Sequence, residues 1–425
     1  MKHLRYSLIA AGLLIASAYG LDPQTWIVID GRIVEGELQK VSGNLVTILG
    51  KDGKQLQLDK ASLSIGNNEY IKEHFPEPKS LLTSTTSTRL PEPAKLAKID
   101  TKTFKAGGIF HILDETWEVL ETPHFKVMFQ KPVDPVDTAE LAERMWFDAA
   151  YVHSTFPSKF TGVKMAIFLA PTDSHYDRIG KWYADTVAKV GGEQNEAVAA
   201  KIRSTWPPSA SGNMHLIGDI ARVQGVMEYA RVFRAYRKGK SAAAKPEPIK
   251  GVWEPFFVHC LANDMIEVQA GGVPQQGAKG YFALTTGHSY FKEVSLTGKS
   301  ETGLLRSQSQ TGLDVSTVGG LADARTWPVE LKKLVRKGEV KATFETLTLL
   351  TREGADPKRN VLAYSWARYL EHTHPFLAAY NKLVQQINDT NQVPEPDYFA
   401  KFYGFSSGAA MEADFQKWLQ SPEFH

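Results

Sequence analysis

The sequence predicts an α+β protein with a small strand-rich unit followed by a larger unit whose C-terminal half is helical. Residues 24–75 contain short segments of alternating apolar residues, a pattern typical of strands. Residues 76–103 are rich in Pro, Ser and Thr and are predicted to be a linker, because such a segment cannot bury enough apolar surface to fold alone. From residue 104 to residue 425, strand patterns mix with helical spacing, and the 425-residue chain is long enough for both units.

The charge balance argues against a nucleic-acid partner. The chain has 49 basic and 47 acidic residues, and the excess of two lies on Lys2 and Arg5, so the remainder is balanced. Binding driven by phosphate contacts needs a clear basic excess on some surface.

Cys260 is the sole cysteine, so an internal disulfide is excluded. No cofactor is predicted.

Residues 1–20 are predicted to be a secretory signal peptide. A basic start precedes an apolar run over residues 8–16, which is too short to span a bilayer. Small residues for cleavage follow at 16–18 or at 18–20, and an uncleaved anchor is the alternative. The remaining sequence contains no stretch expected to form a transmembrane helix, so the predicted location is secreted or periplasmic.

The small unit over residues 24–75 is predicted to be a β-barrel or sheet. Strands are expected at Gly31–Lys40, Leu45–Leu49 and Gln55–Leu58. Residues 51–54 contain Asp-Gly and predict a hairpin turn, because this pair tolerates positive φ. A short helix is expected to follow and to end near residue 71.

Several residues of this unit, taken in order and spacing, carry a family resemblance. They are Trp26, Gly31-Arg32, Glu35–Leu38, Gly43, Val46, Asp52–Lys54, Leu56, Leu58, Leu63-Ser64 and Tyr70-Ile71. The unit resembles the Sla homology domain of eukaryotic endocytic adaptors, in particular its exported bacterial versions. This resemblance implies an SH3-like barrel with a contact surface, for which Trp26 and Tyr70 are the candidate binding residues.

The larger unit, residues 104–425, opens with a mixture of strands and helices. Strands are predicted at His124–Gln130 and Val163–Leu169, and helices at Asp137–Phe156, Ser174–Val187 and Glu254–Val268. Together with residues 122–125, the first strands and helix resemble the opening of a gluzincin-type metallopeptidase domain. In that family two His of an H-E-x-x-H helix and a Glu from a later stretch hold zinc, and the Glu of the motif activates the bound water.

The resemblance places four positions of this chain in the family's active site. His259 matches the first zinc ligand, Cys260 the general base, Asn263 the second ligand and Thr286 the third. Asn and Thr do not compete with His or carboxylate as zinc ligands, and Cys cannot replace the carboxylate base. The resemblance thus implies a degenerate metal site without a bound metal or a catalytic residue, and we expect His259, Asn263 and Thr286 to converge within about 5 Å.

Two chemical alternatives stay open. A rebuilt metal site would draw on His259 with Asp264, Glu267 or His288, although Asp264 is about 500° around the helix from His259 and so points away. Cysteine chemistry would use Cys260, but adjacent helical residues point about 100° apart, so burial in a core is the favoured interpretation of Cys260.

These observations favour an exported, non-catalytic protein with a pseudo-metallopeptidase domain that binds a peptide, an envelope component or a protein partner. One alternative is an active zinc-dependent hydrolase with a rebuilt site. Another is a structural protein of the cell envelope that recognises no small ligand.

Overall fold

The computed structural model describes residues 22–75, 92–113, 115–154, 163–190, 192–206, 211–215, 221, 225–237, 247–248, 254–270, 279–300, 321, 323–351, 354–390 and 392–425. The signal peptide predicted at residues 1–20 and the part of the predicted linker at residues 76–91 lie outside these ranges. The described chain is α+β, as the sequence predicts, with two principal sheets and a helical C-terminal half.

The first sheet is an antiparallel meander of four strands, each of which pairs with the next. They are β1 (Gln24–Ile27), β2 (Ile33–Ser42), β3 (Leu45–Gly50) and β4 (Gln55–Asp59). The three predicted strands are confirmed as β2 to β4. The turn between β3 and β4 is also confirmed, with Gly53 at φ 75°.

The core of this unit follows the alternation along the strands. The side chains of Trp26, Leu38, Val46, Ile48 and Leu58 are buried together. Helix α1 (Ile65–His74) covers this core, and it begins where the Ser64 hydroxyl accepts a hydrogen bond from the Asn67 amide.

The second sheet has six strands in the order β5-β6-β7-β8-β10-β9. Their bounds are β5 (Lys105–Ile112), β6 (Glu115–Glu121), β7 (Phe125–Phe129), β8 (Lys164–Ala170), β9 (Ser211–His215) and β10 (Val226–Arg234). Strands β7, β8 and β10 are parallel neighbours, and the remaining pairs are antiparallel. A further short pair joins β11 (Tyr236–Arg237) to β12 (Glu247–Pro248).

Strand β8 divides the core into two layers because its side chains alternate between the sheet faces. One face packs against α3 (Val136–Val152) and α6 (Glu254–Ala270). The other face packs against α4 (Asp173–Val190) and α5 (Gly192–Thr205).

The C-terminal half is helical, as predicted. It contains α7 (Tyr281–Thr297), α8 (Trp327–Arg336), α9 (Phe344–Thr348), α10 (Pro357–Glu371), α11 (His374–Thr390), α12 (Pro396–Phe402) and α13 (Gly408–Gln420). Helix α7 lies against α6 and α10. It approaches α10 closely at Gly287, where an added Cβ would lie 2.3 Å from the carbonyl oxygen of Ala363. Within the described ranges, none of the helices combines the length and apolar character needed to cross a bilayer.

Residues 92–103, which the sequence analysis assigns to the linker, pack onto the larger unit. The short helix α2 (Pro93–Leu96) lies against α3, and Ala94 and Ala97 are buried. The guanidinium of Arg144 donates hydrogen bonds to the carbonyl oxygens of Ala94 and Ala97. These contacts make this segment part of the larger unit, because buried apolar side chains and bonded carbonyls are not features of a solvated linker.

The two units meet at the end of α3. The Gly66 amide donates to the Ser154 hydroxyl at 2.7 Å, and the Tyr151 hydroxyl donates to the Leu63 carbonyl at 3.1 Å. Ile65 is buried in the same apolar cluster as the helical half.

Candidate functional site

The candidate site lies where α6 and α7 pack side by side. His259 on α6 faces α7, with its Nδ1 3.1 Å from Oε2 of Glu293. The His259 ring also meets the Tyr290 ring edge-on, with 4.6 Å between ring centroids. The Glu293 side chain is fully buried, whereas that of His259 is 15% exposed. His259 is thus held in place by two side chains of α7.

The other three positions of the expected motif lie on the same two helices, Cys260 and Asn263 on α6 and Thr286 on α7. Cys260 is buried, as predicted, in the apolar layer between α6 and the second sheet. Asn263 is half-buried, and Thr286 is buried on α7. Thr286 precedes Glu293 by seven residues, which is about 10 Å along the helix axis. Glu293 and Tyr290 of α7 contact His259, and the expected convergence of His259, Asn263 and Thr286 stays a prediction.

Asp264 faces the sheet rather than α7. Its carboxylate accepts hydrogen bonds from the guanidinium of Arg231 and, at 2.6 Å, from the hydroxyl of Tyr229, both on β10. Burial alone would lower the pKa of Arg231, but Asp264 outweighs it and holds that pKa well above its ordinary value. His259 and Asp264 therefore have different neighbours, as their helical phase predicts, and the Glu267 side chain lies outside the described part of the structure.

His288 faces away from α6 and toward the C-terminal helices. Its Nδ1 lies 3.0 Å from both carboxyl oxygens of Glu371 on α10. Its ring is 5.5 Å from the ring of His153, whose Nδ1 lies 2.7 Å from Oδ1 of Asn381. Burial lowers the pKa of His153 to about 4, and the neighbouring His288 contributes to this shift, so His153 is neutral at pH 7.

A network of charged side chains lies next to this cluster. The Lys292 ammonium is 2.8 Å from Oδ2 of Asp148 on α3 and 3.9 Å from Oε1 of Glu92, the residue that precedes α2. Burial, together with the neighbouring Asp148, raises the pKa of Glu92 to about 8 against the opposing effect of Lys292. Burial alone would lower the pKa of Lys292, but Asp148 and Glu92 outweigh it and hold the ammonium protonated.

These residues do not fit a zinc ion of the kind that gluzincin-type peptidases hold. The positions matched to zinc ligands have Asn263 and Thr286, the carboxylate of Asp264 is bonded to β10, and the ring of His288 lies against Glu371 of α10. In the part of the chain that the structure describes, no three His, Cys, Asp or Glu side chains are placed to hold one metal ion. What the geometry offers instead is buried ion pairing and a cavity beside it.

The charged groups of this site are not part of any motif in the sequence. Glu293 and Lys292 lie on α7, Asp148 lies between apolar residues of α3, and Glu371 ends the apolar run of α10. Charged residues at buried positions of an apolar helix are a signal in themselves, since such groups need partners. That signal was present in the sequence.

The candidate binding residues of the small unit have different environments. Trp26 is fully buried, and its indole donates to the Gly36 carbonyl at 2.8 Å, so it belongs to the core of that unit. Tyr70 is half-buried, contacts Trp26 edge-on and stacks on His74 with 4.1 Å between centroids. Tyr70 and His74 are therefore the aromatic groups of this corner that reach the surface.

Comparisons of this chain with protein-family models, with curated proteins and with solved structures found no match.

Proposed function

We propose that this chain is an exported, non-catalytic protein that uses a metallopeptidase-like scaffold to bind a peptide, an envelope component or a protein partner. The observation that supports this proposal is the environment of His259. Its Nδ1 is engaged by the buried Glu293, Cys260 packs into the apolar layer, and the matched ligand positions are Asn and Thr. Hydrolysis by the family's mechanism needs a carboxylate base and two further zinc ligands at these positions.

The small unit adds a second surface under this proposal. Under the proposal, its four-stranded antiparallel sheet and the helix that follows form an SH3-like barrel of the Sla homology type. Tyr70 and His74, rather than the buried Trp26, are the side chains through which this unit makes contact.

Zinc binding separates this proposal from an active hydrolase with a rebuilt site. The full chain is stripped with a chelator, dialysed against zinc and then against buffer, and its metal content is measured by mass spectrometry. We expect far less than one equivalent of zinc, with no difference between the native chain and His259→Ala. One tightly held equivalent that His259→Ala removes, and that the exposed-site control His111→Ala retains, would overturn the proposal.

Binding itself is tested by selecting displayed random peptides on the immobilised full chain. We expect enriched sequences whose binding is weakened by Tyr70→Ala or by variants at the cavity beside Lys292. The control Lys333→Gln, at an exposed position of α8, should not weaken it. A selection that enriches no sequence over a blank surface favours the structural alternative.

A further inference from the structure

A cavity of about 300 Å³ lies beside the Lys292 network. It is bounded by α2, by the last turn of α3, by α7 and by the junction of α10 and α11. This volume is at the lower end of the range for small-molecule sites. The cavity is separate from His259 and from the motif positions.

Positive charge prevails among the described groups around this cavity at neutral pH. Lys95, Lys292 and Arg368 line it. Of the lining acids, Glu371 has both carboxyl oxygens within 3.0 Å of His288, and burial keeps Glu92 protonated by raising its pKa to about 8.

The basic groups differ in how far they are already engaged. Arg368 donates to the main-chain carbonyls of Glu423 and His425, and Lys292 donates to Asp148. The Lys95 side chain is exposed at the edge of the cavity. An ammonium has three N–H donors, so Lys292 can bind Asp148 and still donate into the cavity. Ammonium groups in a cavity lining suit a single carboxylate, whereas planar bidentate recognition of phosphate is typical of a free Arg.

The cavity lining also includes apolar side chains, those of Tyr151, Val152, Phe291 and Leu377. An apolar ligand body against these side chains gains binding energy from the area that it removes from water.

We propose that this cavity binds a small carboxylic acid with an apolar body, its carboxylate beside Lys95 and Lys292 and its body against Phe291 and Leu377. The inference rests on the proposed binding function and names its ligand class. The two proposals can fail separately, because a chain that does not bind carboxylates could still give the expected absence of tightly bound zinc.

Matched probes of one shape and different charge test the ligand class by calorimetric titration of the full chain. They are phenylacetate, phenylacetamide and phenethylamine, with inorganic phosphate as an anion that lacks an apolar body. We expect phenylacetate to bind at least about tenfold more tightly than its amide, because a charged hydrogen bond is lost with the amide. Phosphate is expected to bind more weakly still. Tighter binding of the amine or of phosphate, or no binding of phenylacetate, overturns the inference.

The pH dependence of phenylacetate binding is a second, independent test of the inference. The charged and titratable groups around Glu92 are Lys95 on α2, Asp148 on α3, Lys292 on α7, Arg368 and Glu371 on α10, and His372, whose pKa is lowered by burial. Because the pKa of Glu92 is about 8, this residue gains a negative charge as the pH rises from 7 to 9. Phenylacetate binding should therefore weaken between pH 7 and pH 9 in the native chain and change little in Glu92→Gln. Strengthening of phenylacetate binding with rising pH contradicts the inference.

Two variants locate the site. Ser295→Trp should fill the cavity and abolish phenylacetate binding, and Lys95→Gln should weaken it about threefold, since Lys95 is exposed and its charge is screened. Lys333→Gln, at a surface pair on α8, serves as the control. Circular dichroism confirms that each variant is folded, and unchanged binding in Ser295→Trp places the ligand elsewhere and overturns the assignment.

Discussion

The side chains of His259 and Glu293 join α6 to α7, with 3.1 Å between Nδ1 and Oε2. Glu293 is fully buried, so its carboxyl group depends on partners within the protein. His259 therefore contributes to the packing of α6 on α7 as a partner of a buried carboxyl group.

The first prediction concerns this contact. His259→Ala removes a partner of a buried carboxyl group and should lower the free energy of unfolding by about 2 kcal/mol. Urea unfolding followed by circular dichroism measures the change. His111→Ala, at an exposed position of β5, should change it by less than about 0.5 kcal/mol. Equal effects of the two variants would show that the contact contributes nothing.

The second prediction concerns Lys292 and Asp148. Lys292→Met leaves Asp148 buried without its nearest cation and should destabilise the fold by about 3 kcal/mol. Adding Asp148→Asn to that variant should restore part of the loss, because the uncompensated charge is then removed. The control Lys333→Met breaks an exposed pair with Glu330 and should cost less than about 1 kcal/mol. A double variant less stable than Lys292→Met contradicts this account.

The third prediction concerns the close approach of α7 and α10. Gly287→Ala places a Cβ 2.3 Å from the Ala363 carbonyl oxygen, and a backbone atom within a helix cannot move aside cheaply. We expect a loss of about 2 kcal/mol in denaturant unfolding. Gly354→Ala is the matched control, since the nearest atoms to its Cβ are at 3.5 Å or more. A Gly287→Ala protein as stable as the control would mean that the helices are farther apart.

The fourth prediction concerns pH and His153. Its pKa is about 4 in the folded chain and near 6.5 in the unfolded chain, so the unfolded state binds the extra proton between these values. The stability that neutral His153 provides is present above pH 6.5 and is lost as the pH falls toward 4. The difference in unfolding free energy between the native chain and His153→Gln should shrink over this window, by at most about 1.4 kcal/mol per pH unit. A pH-independent difference rules the effect out.

Much of the fold was predictable because local patterns decide it. The alternation in β2 to β4 and the Asp-Gly turn specify the first sheet, and β8 shows a continuous apolar run between turn residues. Strands β5 and β6 were missed, although β6 alternates with Trp117 and Val119 buried. Strand β5 is irregular. Gly107 and Gly108 interrupt the alternation there, and the pairing register shifts between Ala106 and Ile109. A bulge of this kind hides a strand from a period-two search.

The site was predictable only in part. The burial of Cys260 was predicted because a free cysteine on an apolar helix is often buried, whereas the match of His259 to a zinc ligand stays a prediction. The contact of Glu293 with His259 was not predicted, because it depends on how α7 is aligned along α6. That alignment depends on contacts between segments distant in sequence, among them the packing of Gly287 on α10, and such contacts are not encoded in a local pattern.

Tyr151 contacts the small unit and also lines the cavity of the larger unit. Its hydroxyl holds the Leu63 carbonyl of the small unit, and its ring forms part of the cavity wall. Ser154, two residues beyond the end of α3, accepts a hydrogen bond from the Gly66 amide, so the end of this helix carries both attachments. The same short stretch of chain therefore serves as an attachment point for the small unit and as lining of the cavity, and a substitution of Tyr151 is expected to affect both.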